Sequence, residues 1–130
     1  MKYFYAVVHQ DEDSAFGVTF PDLPGCFSAS DDMAQLLPNA CDALELWFED
    51  AKEVKPLRLD QVQSYAADEL RQGAFILAVP FIRNTGKLAR VNLSLDHGML
   101  DAIDKAANAR SLTRSAFMAQ AARNEIECRR

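Results

Sequence analysis

Residues 87–95 alternate between an apolar face (Ala89, Val91, Leu93, Leu95) and a polar one (Arg90, Asn92, Ser94), the period of a β-strand with one wet side. No second strand pattern follows it. Asp96 can cap a helix that turns Met99, Leu100, Ile103, Ala106 and Ala107 inward, and Thr113 can cap another carrying Phe117, Met118, Ala121, Ala122 and Ile126. One strand and two helices leave the strand's N–H and C=O groups unpaired, and fewer than about 45 residues make a meagre core. The order implies a second copy. Two such strands, antiparallel about a two-fold axis, pair each other's backbones and bring Arg90, Asn92 and Ser94 of both chains onto one exposed ribbon.

A two-stranded ribbon fits the DNA major groove, where Arg pairs with guanine, Asn with adenine and Ser with either. The start of the second helix, Thr113, Arg114 and Ser115, offers free backbone N–H groups, a hydroxyl and a cation for a phosphate, and Lys87 offers a second cation. The competing reading makes Arg90, Asn92 and Ser94 the solvated side of an edge strand. The strand-helix-helix order and the cap of the second helix, counted together, favour the first. The chain's net charge is −5, but residues 1–86 hold six Lys/Arg against fourteen Asp/Glu, a net −8, and residues 87–130 hold eight against five, a net +3. An acidic part suited to a basic partner is joined to a basic part suited to phosphates.

The first part reads β-β-β-α-(α)-β. Residues 3–8 are apolar or aromatic on both faces, a strand covered on both sides. Asp11, Glu12, Asp13 and Ser14 turn the chain, and Phe16, Val18 and Phe20 return as an antiparallel strand. Pro21, Pro24 and Gly25 fix a loop before a short third strand over residues 26–29. Ser30 is the candidate cap of an amphipathic helix running from Leu36 to Ala51, with Pro38 predicting a kink or a separate first turn. Asp42, Glu45, Glu49 and Glu53 form an acidic line along its other face. A short helix over residues 60–71 and a last strand over residues 74–79 complete the unit. Arg83, Asn84, Thr85 and Gly86 form a polar hinge, so the boundaries are 1–82, 83–86 and 87–130.

Several function classes are excluded on sequence grounds. Eight Phe, three Tyr and Trp47 exclude a disordered chain. The longest apolar run, residues 73–82, is interrupted by Pro80 and falls well short of the roughly 20 residues that span a bilayer. The first residues show no secretory pattern, so no membrane association and a cytoplasmic location are expected. Cys26, Cys41 and Cys128 are odd in number, far apart and outside any C-x-x-C spacing, against a disulfide framework or a zinc site. No cofactor is expected.

The run Phe16-Gly17-Val18-Thr19-Phe20-Pro21-Asp22-Leu23-Pro24-Gly25-Cys26-Phe27-Ser28, with Asn39-Ala40 and Ala43-Leu44-Glu45-Leu46 in the following helix, resembles the HicB-type antitoxins of HicA–HicB toxin–antitoxin pairs. Residues Arg90-Val91-Asn92-Leu93-Ser94-Leu95 and Leu112-Thr113-Arg114-Ser115-Ala116-Phe117 resemble that family's ribbon-helix-helix DNA-binding domain. The resemblance implies an α+β protein with a partial ribonuclease-H-like first domain that covers the active site of a small basic mRNA-cleaving HicA-like toxin. It also implies homodimers through the rear strand, often assembled into tetramers, and repression of the chain's own operon by binding operator DNA. Arg90, Asn92 and Ser94 fall on the family's base-reading strand. Ser111 stands where a turn glycine is common, at a cost of up to about 1 kcal/mol, and Gly98 is a poor helix former near the start of the first rear helix.

Ribonuclease-H chemistry needs carboxylates converging on two metal ions, and residues 2–9 contain no Asp or Glu. Asp11, Glu12 and Asp13 lie beyond them in a turn, Glu45 and Glu49 lack an acidic partner opposite, and His9 and His97 stand outside any nucleophile or metal motif. Enzymatic activity is not expected. The alternative is a ribbon-helix-helix transcription regulator whose first domain senses a small molecule, which requires an apolar cavity where a toxin surface requires exposed complementary charge.

Overall fold

The computed structural model describes residues 1–10 and 13–129; Asp11 and Glu12 of the expected first turn lie outside the described residues. By contacts the chain divides into residues 1–83 with 127–129, and residues 84–126. The protein is α+β. In the first unit β1 (Lys2–Gln10), β2 (Phe16–Thr19), β3 (Phe27–Ser30) and β4 (Phe75–Phe81) form an antiparallel sheet in the order β3-β2-β1-β4.

Both faces of β1 are covered, as its composition requires. Phe4, Ala6 and Val8 pack with Val18, Val79 and with Leu36, Ala40 and Leu44 of α1 (Met33–Trp47). Val7, with Tyr5 and Ile76, packs on the other side under Val62 and Ala66 and the partly buried Leu70, from α2 (Leu59–Tyr65), α3 (Ala67–Arg71) and the joint between them. Burial of each such Phe, Leu or Val side chain is worth about 1.5–3 kcal/mol. Residues 60–71 are therefore two helices, not one. Ala66 leaves helical angles (φ −100°, ψ 20°), yet its N–H still bonds Val62 O and its carbonyl still accepts from Leu70 N–H. The step keeps Val62, Ala66 and Leu70 together against the sheet.

α1 departs from expectation at both ends. Its cap is Asp32, whose carboxylate accepts from Ala34 N–H at 3.0 Å; the buried Ser30 hydroxyl instead accepts from Asp32 N–H and donates to Asp32 O. Pro38 lies inside one uninterrupted helix, with no separate first turn. Its fixed φ suits a helix, and the bond it forfeits is to the carbonyl of Ala34, an exposed residue that water can serve. The helix stops at Trp47 rather than Ala51. There Phe48 turns to stack on Phe81 (centroids 4.4 Å apart) and meets Phe4 at 5.4 Å, while Trp47 Nε1–H donates to Pro24 O at 3.0 Å. The acidic line is broken accordingly: Asp42 and Glu45 lie on α1, Glu49 and Glu53 beyond it, and Glu53 pairs with Lys2 at 2.6 Å.

The 21–25 loop is held by its own backbone, with Leu23 N–H on Phe20 O and Cys26 N–H on Leu23 O. Gly25 supplies its left-handed residue (φ 82°). Asp22 Oδ2 accepts from Leu57 N–H at 3.1 Å, binding the loop to the segment ahead of α2, while Oδ1 is buried without a partner among the described residues.

In the second unit α4 (His97–Ala109) starts on Asp96, whose carboxylate accepts from Gly98 N–H, and α5 (Arg114–Ile126) starts on Thr113, whose hydroxyl accepts from Ala116 N–H. α4 ends with Ser111 N–H on Asn108 O and Leu112 N–H on Ala107 O, a Schellman turn that places Ser111 in the left-handed region (φ 55°). Ser111→Gly removes the Cβ clash of that conformation and should stabilise the chain by about 1 kcal/mol, read as a higher urea midpoint at unchanged slope; an unchanged or lower midpoint contradicts this.

Candidate nucleic-acid interface

Residues 87–96 enter no backbone ladder with the described residues of this chain. Both faces of the alternating pattern lie open. Lys87, Arg90, Asn92 and Ser94 are exposed, and so are the apolar Val91 (72%), Leu93 (62%) and Leu95 (40%). Between residues 84 and 126 Ala107 is the one buried side chain. Ala89, Val91, Leu93, Ser94 and Leu95 line one side of a groove of about 780 Å³, with Leu100 of α4 and Arg114, Ser115, Met118 and Ala119 of α5 also on its wall.

That groove brings Ser94 together with Arg114 and Ser115, two of the three residues singled out at the start of α5. Lys87, Arg90, Asn92 and Thr113 lie outside its lining. The Thr113 hydroxyl is engaged as a cap, and Lys87 N–H donates to Thr85 Oγ1 at 3.3 Å. Arg114 is not a bare cation. Its Nε and Nη2 donate to the two carboxylate oxygens of Asp104, each at 2.9 Å, a fork-to-fork pair that holds Asp104 below the usual carboxylate range and raises Arg114. Asp104 carries no local signal of this role in the sequence, because its partner comes from the next helix. Arg110 lies over the Phe117 ring at 5.3 Å and adds a second tie between α4 and α5.

The first unit presents exposed apolar side chains at Phe27 and Leu46. Among the described residues no group of three or more His, Cys, Asp or Glu is arranged to hold a metal ion, and no helix is long and apolar enough to cross a membrane. Cys26 and Cys41 are buried. Burial, then the Asp22 charge, pushes the Cys26 thiol up to about 11; burial, then the Glu127 charge, pushes Cys41 up to about 12. Both stay protonated at neutral pH and make poor nucleophiles or ligands. Cys128 is exposed.

An α+β chain with this sheet, these helices and an open alternating segment has known relatives. Residues 4–122 match the family model described as HicB_like antitoxin of bacterial toxin-antitoxin system, and the chain belongs to that family. It is 28% identical over 131 residues, covering 94% of this chain and 96% of the other, to a 14.9 kDa protein from the rep-hol intergenic region of Haemophilus phage HP1. The crystal structure of the Burkholderia pseudomallei antitoxin HicB matches over 97% of both chains at 27% identity and TM-score 0.53. That of antitoxin HicB3 matches over 95% of this chain and 97% of its own, at 25% identity and TM-score 0.51.

A thiol reagent at mildly alkaline pH should therefore modify Cys128 alone in the native chain and all three cysteines after denaturation. Two or three fast-reacting thiols in the native chain would contradict the burial of Cys26 and Cys41.

Proposed function

We propose that this chain is the antitoxin of a toxin–antitoxin pair with two separable jobs. Residues 1–82, read as a partial ribonuclease-H-like domain, bind and neutralise a small mRNA-cleaving HicA-like toxin. Residues 87–130, across a hinge at 83–86, dimerise as a ribbon-helix-helix domain and repress the chain's own operon in the cytoplasm. The chain itself is inert as an enzyme: β1 offers no carboxylate for metal-dependent hydrolysis.

The observation that carries this reading is the open segment 87–95. A backbone with neither helix nor ladder partner among the described residues, an apolar face exposed at Val91 and Leu93 and a groove behind it are what one protomer of an interlocked strand pair presents. A second copy paired antiparallel satisfies the N–H and C=O groups and buries Val91, Leu93 and Leu95 against Leu100 and Met118. Arg90 and Asn92 of both copies, which lie outside the groove lining, then face base edges in the major groove, with Ser94, also on the groove wall, following them along the strand. Lys87 and the N–H groups at the start of α5 are placed for phosphates, with Ser115 beside them; Arg114 contributes to the extent that a phosphate competes with Asp104.

The full chain carrying Arg90→Ala and Asn92→Ala tests both jobs at once. Each bidentate base contact is worth about 1–3 kcal/mol, so specific operator affinity in a gel shift should fall at least about tenfold, while the dimer persists and co-expression still protects cells from the toxin. Unchanged operator affinity removes the groove assignment; loss of protection by the folded variant removes the division of labour.

A further inference from the structure

Residues 127–129 follow α5 but pack with the first unit. Glu127 is buried at 3% exposure. Arg129 donates Nε to Glu127 Oε1 at 2.7 Å and Nη2 to Asp42 Oδ1 at 2.6 Å. Asp42 lies on the exposed side of α1, with Glu45, also exposed, three residues on. A guanidinium is thus already seated between Asp42 of α1 and Glu127.

We propose that this exposed side of α1 is a seat for a cationic side chain of the protein partner, an arginine above all, and that Arg129 holds the seat in the unbound chain and competes for it. The inference rests on the toxin-binding reading of residues 1–82 and identifies where on that unit charge recognition is centred.

Three features support it. Residues 1–86 carry a net −8, so an incoming partner that uses charge is basic, and the Asp42 carboxylate already accepts from a guanidinium within this chain. The Arg129–Asp42 contact is an ion pair whose Asp42 side chain is 60% exposed, and such pairs are weak enough to exchange. Release is also inexpensive: when Asp42 is taken, Arg129 keeps the nearly buried Glu127 and leaves no carboxylate stranded. Like charges repel, so partner cation and Arg129 exclude each other from Asp42, and the tail sets a threshold on partner affinity.

The test uses the full chain and a catalytically inactive variant of a HicA-like toxin, with affinity measured calorimetrically at low and high salt. Arg129→Gln, which keeps a donor for Glu127, should bind the toxin about two- to fivefold more tightly than the unmodified chain at low salt. Arg129→Lys should stay close to the unmodified chain. Asp42→Asn should bind more weakly, the double variant should match Asp42→Asn alone, and the Arg129→Gln gain should shrink as salt rises. Unchanged or weaker binding by folded Arg129→Gln, or unchanged binding by Asp42→Asn, overturns the seat while leaving the antitoxin reading intact. No binding by the unmodified chain overturns the antitoxin reading, and the seat with it.

Discussion

Nine consecutive residues, 87–95, that enter no ladder with the described residues of this chain shape the second unit. A strand-forming backbone exposed to water forfeits little, but one whose alternate side chains are Val91, Leu93 and Leu95 exposes an apolar row that folded surfaces avoid. Asp96 caps α4, Thr113 caps α5 and the Asp104–Arg114 fork ties the two helices, yet within one chain they bury only Ala107 between residues 84 and 126. The unit is complete in its local chemistry and incomplete in its core. On the proposed reading, association with a second copy belongs to the folding of this unit.

The first unit meets the opposite condition. Its sheet is covered on both faces, by α1 on one and by α2 with α3 on the other, and the 21–25 loop is tied down by Trp47 and by Asp22. An acidic module with a covered sheet, joined to a basic one that on the proposed reading pairs with a second copy, is a sensible layout for a member of the HicB-like antitoxin family. One part can engage a partner as a rigid surface while the other assembles.

Period and punctuation made much of this legible. Both faces of residues 3–8 are apolar, and β1 is covered twice; Phe16 and Val18 alternate, and β2 returns antiparallel. Asp96 and Thr113 sit ahead of apolar periodicity and cap α4 and α5. Local pattern failed where a distant contact decided the outcome. Phe48 continues the helical spacing but turns away to stack on Phe81, which ended α1 early and dispersed the acidic line. Ser30 and Asp32 are both cap-type residues, and the choice between them depends on where helical angles begin; α1 starts at Met33, so Asp32 caps it. Asp104 on Arg114 and Asp42 on Arg129 join residues ten and eighty-seven apart, separations at which sequence spacing carries no signal. The alternation at 87–95 reads as a strand, but the segment forms none with the described residues of this chain, so its expected pairing with a second copy stays part of the proposed reading.

The central claim is that this segment pairs with a second copy. Amide hydrogen exchange on the full chain, with its mass in solution measured on the same sample, tests it most directly. The account predicts an even multiple of the 14.5 kDa chain with slowed exchange at residues 89–95 that is lost together with association on dilution. A 14.5 kDa species, or an assembly in which those amides exchange as fast as in a free peptide, would contradict it.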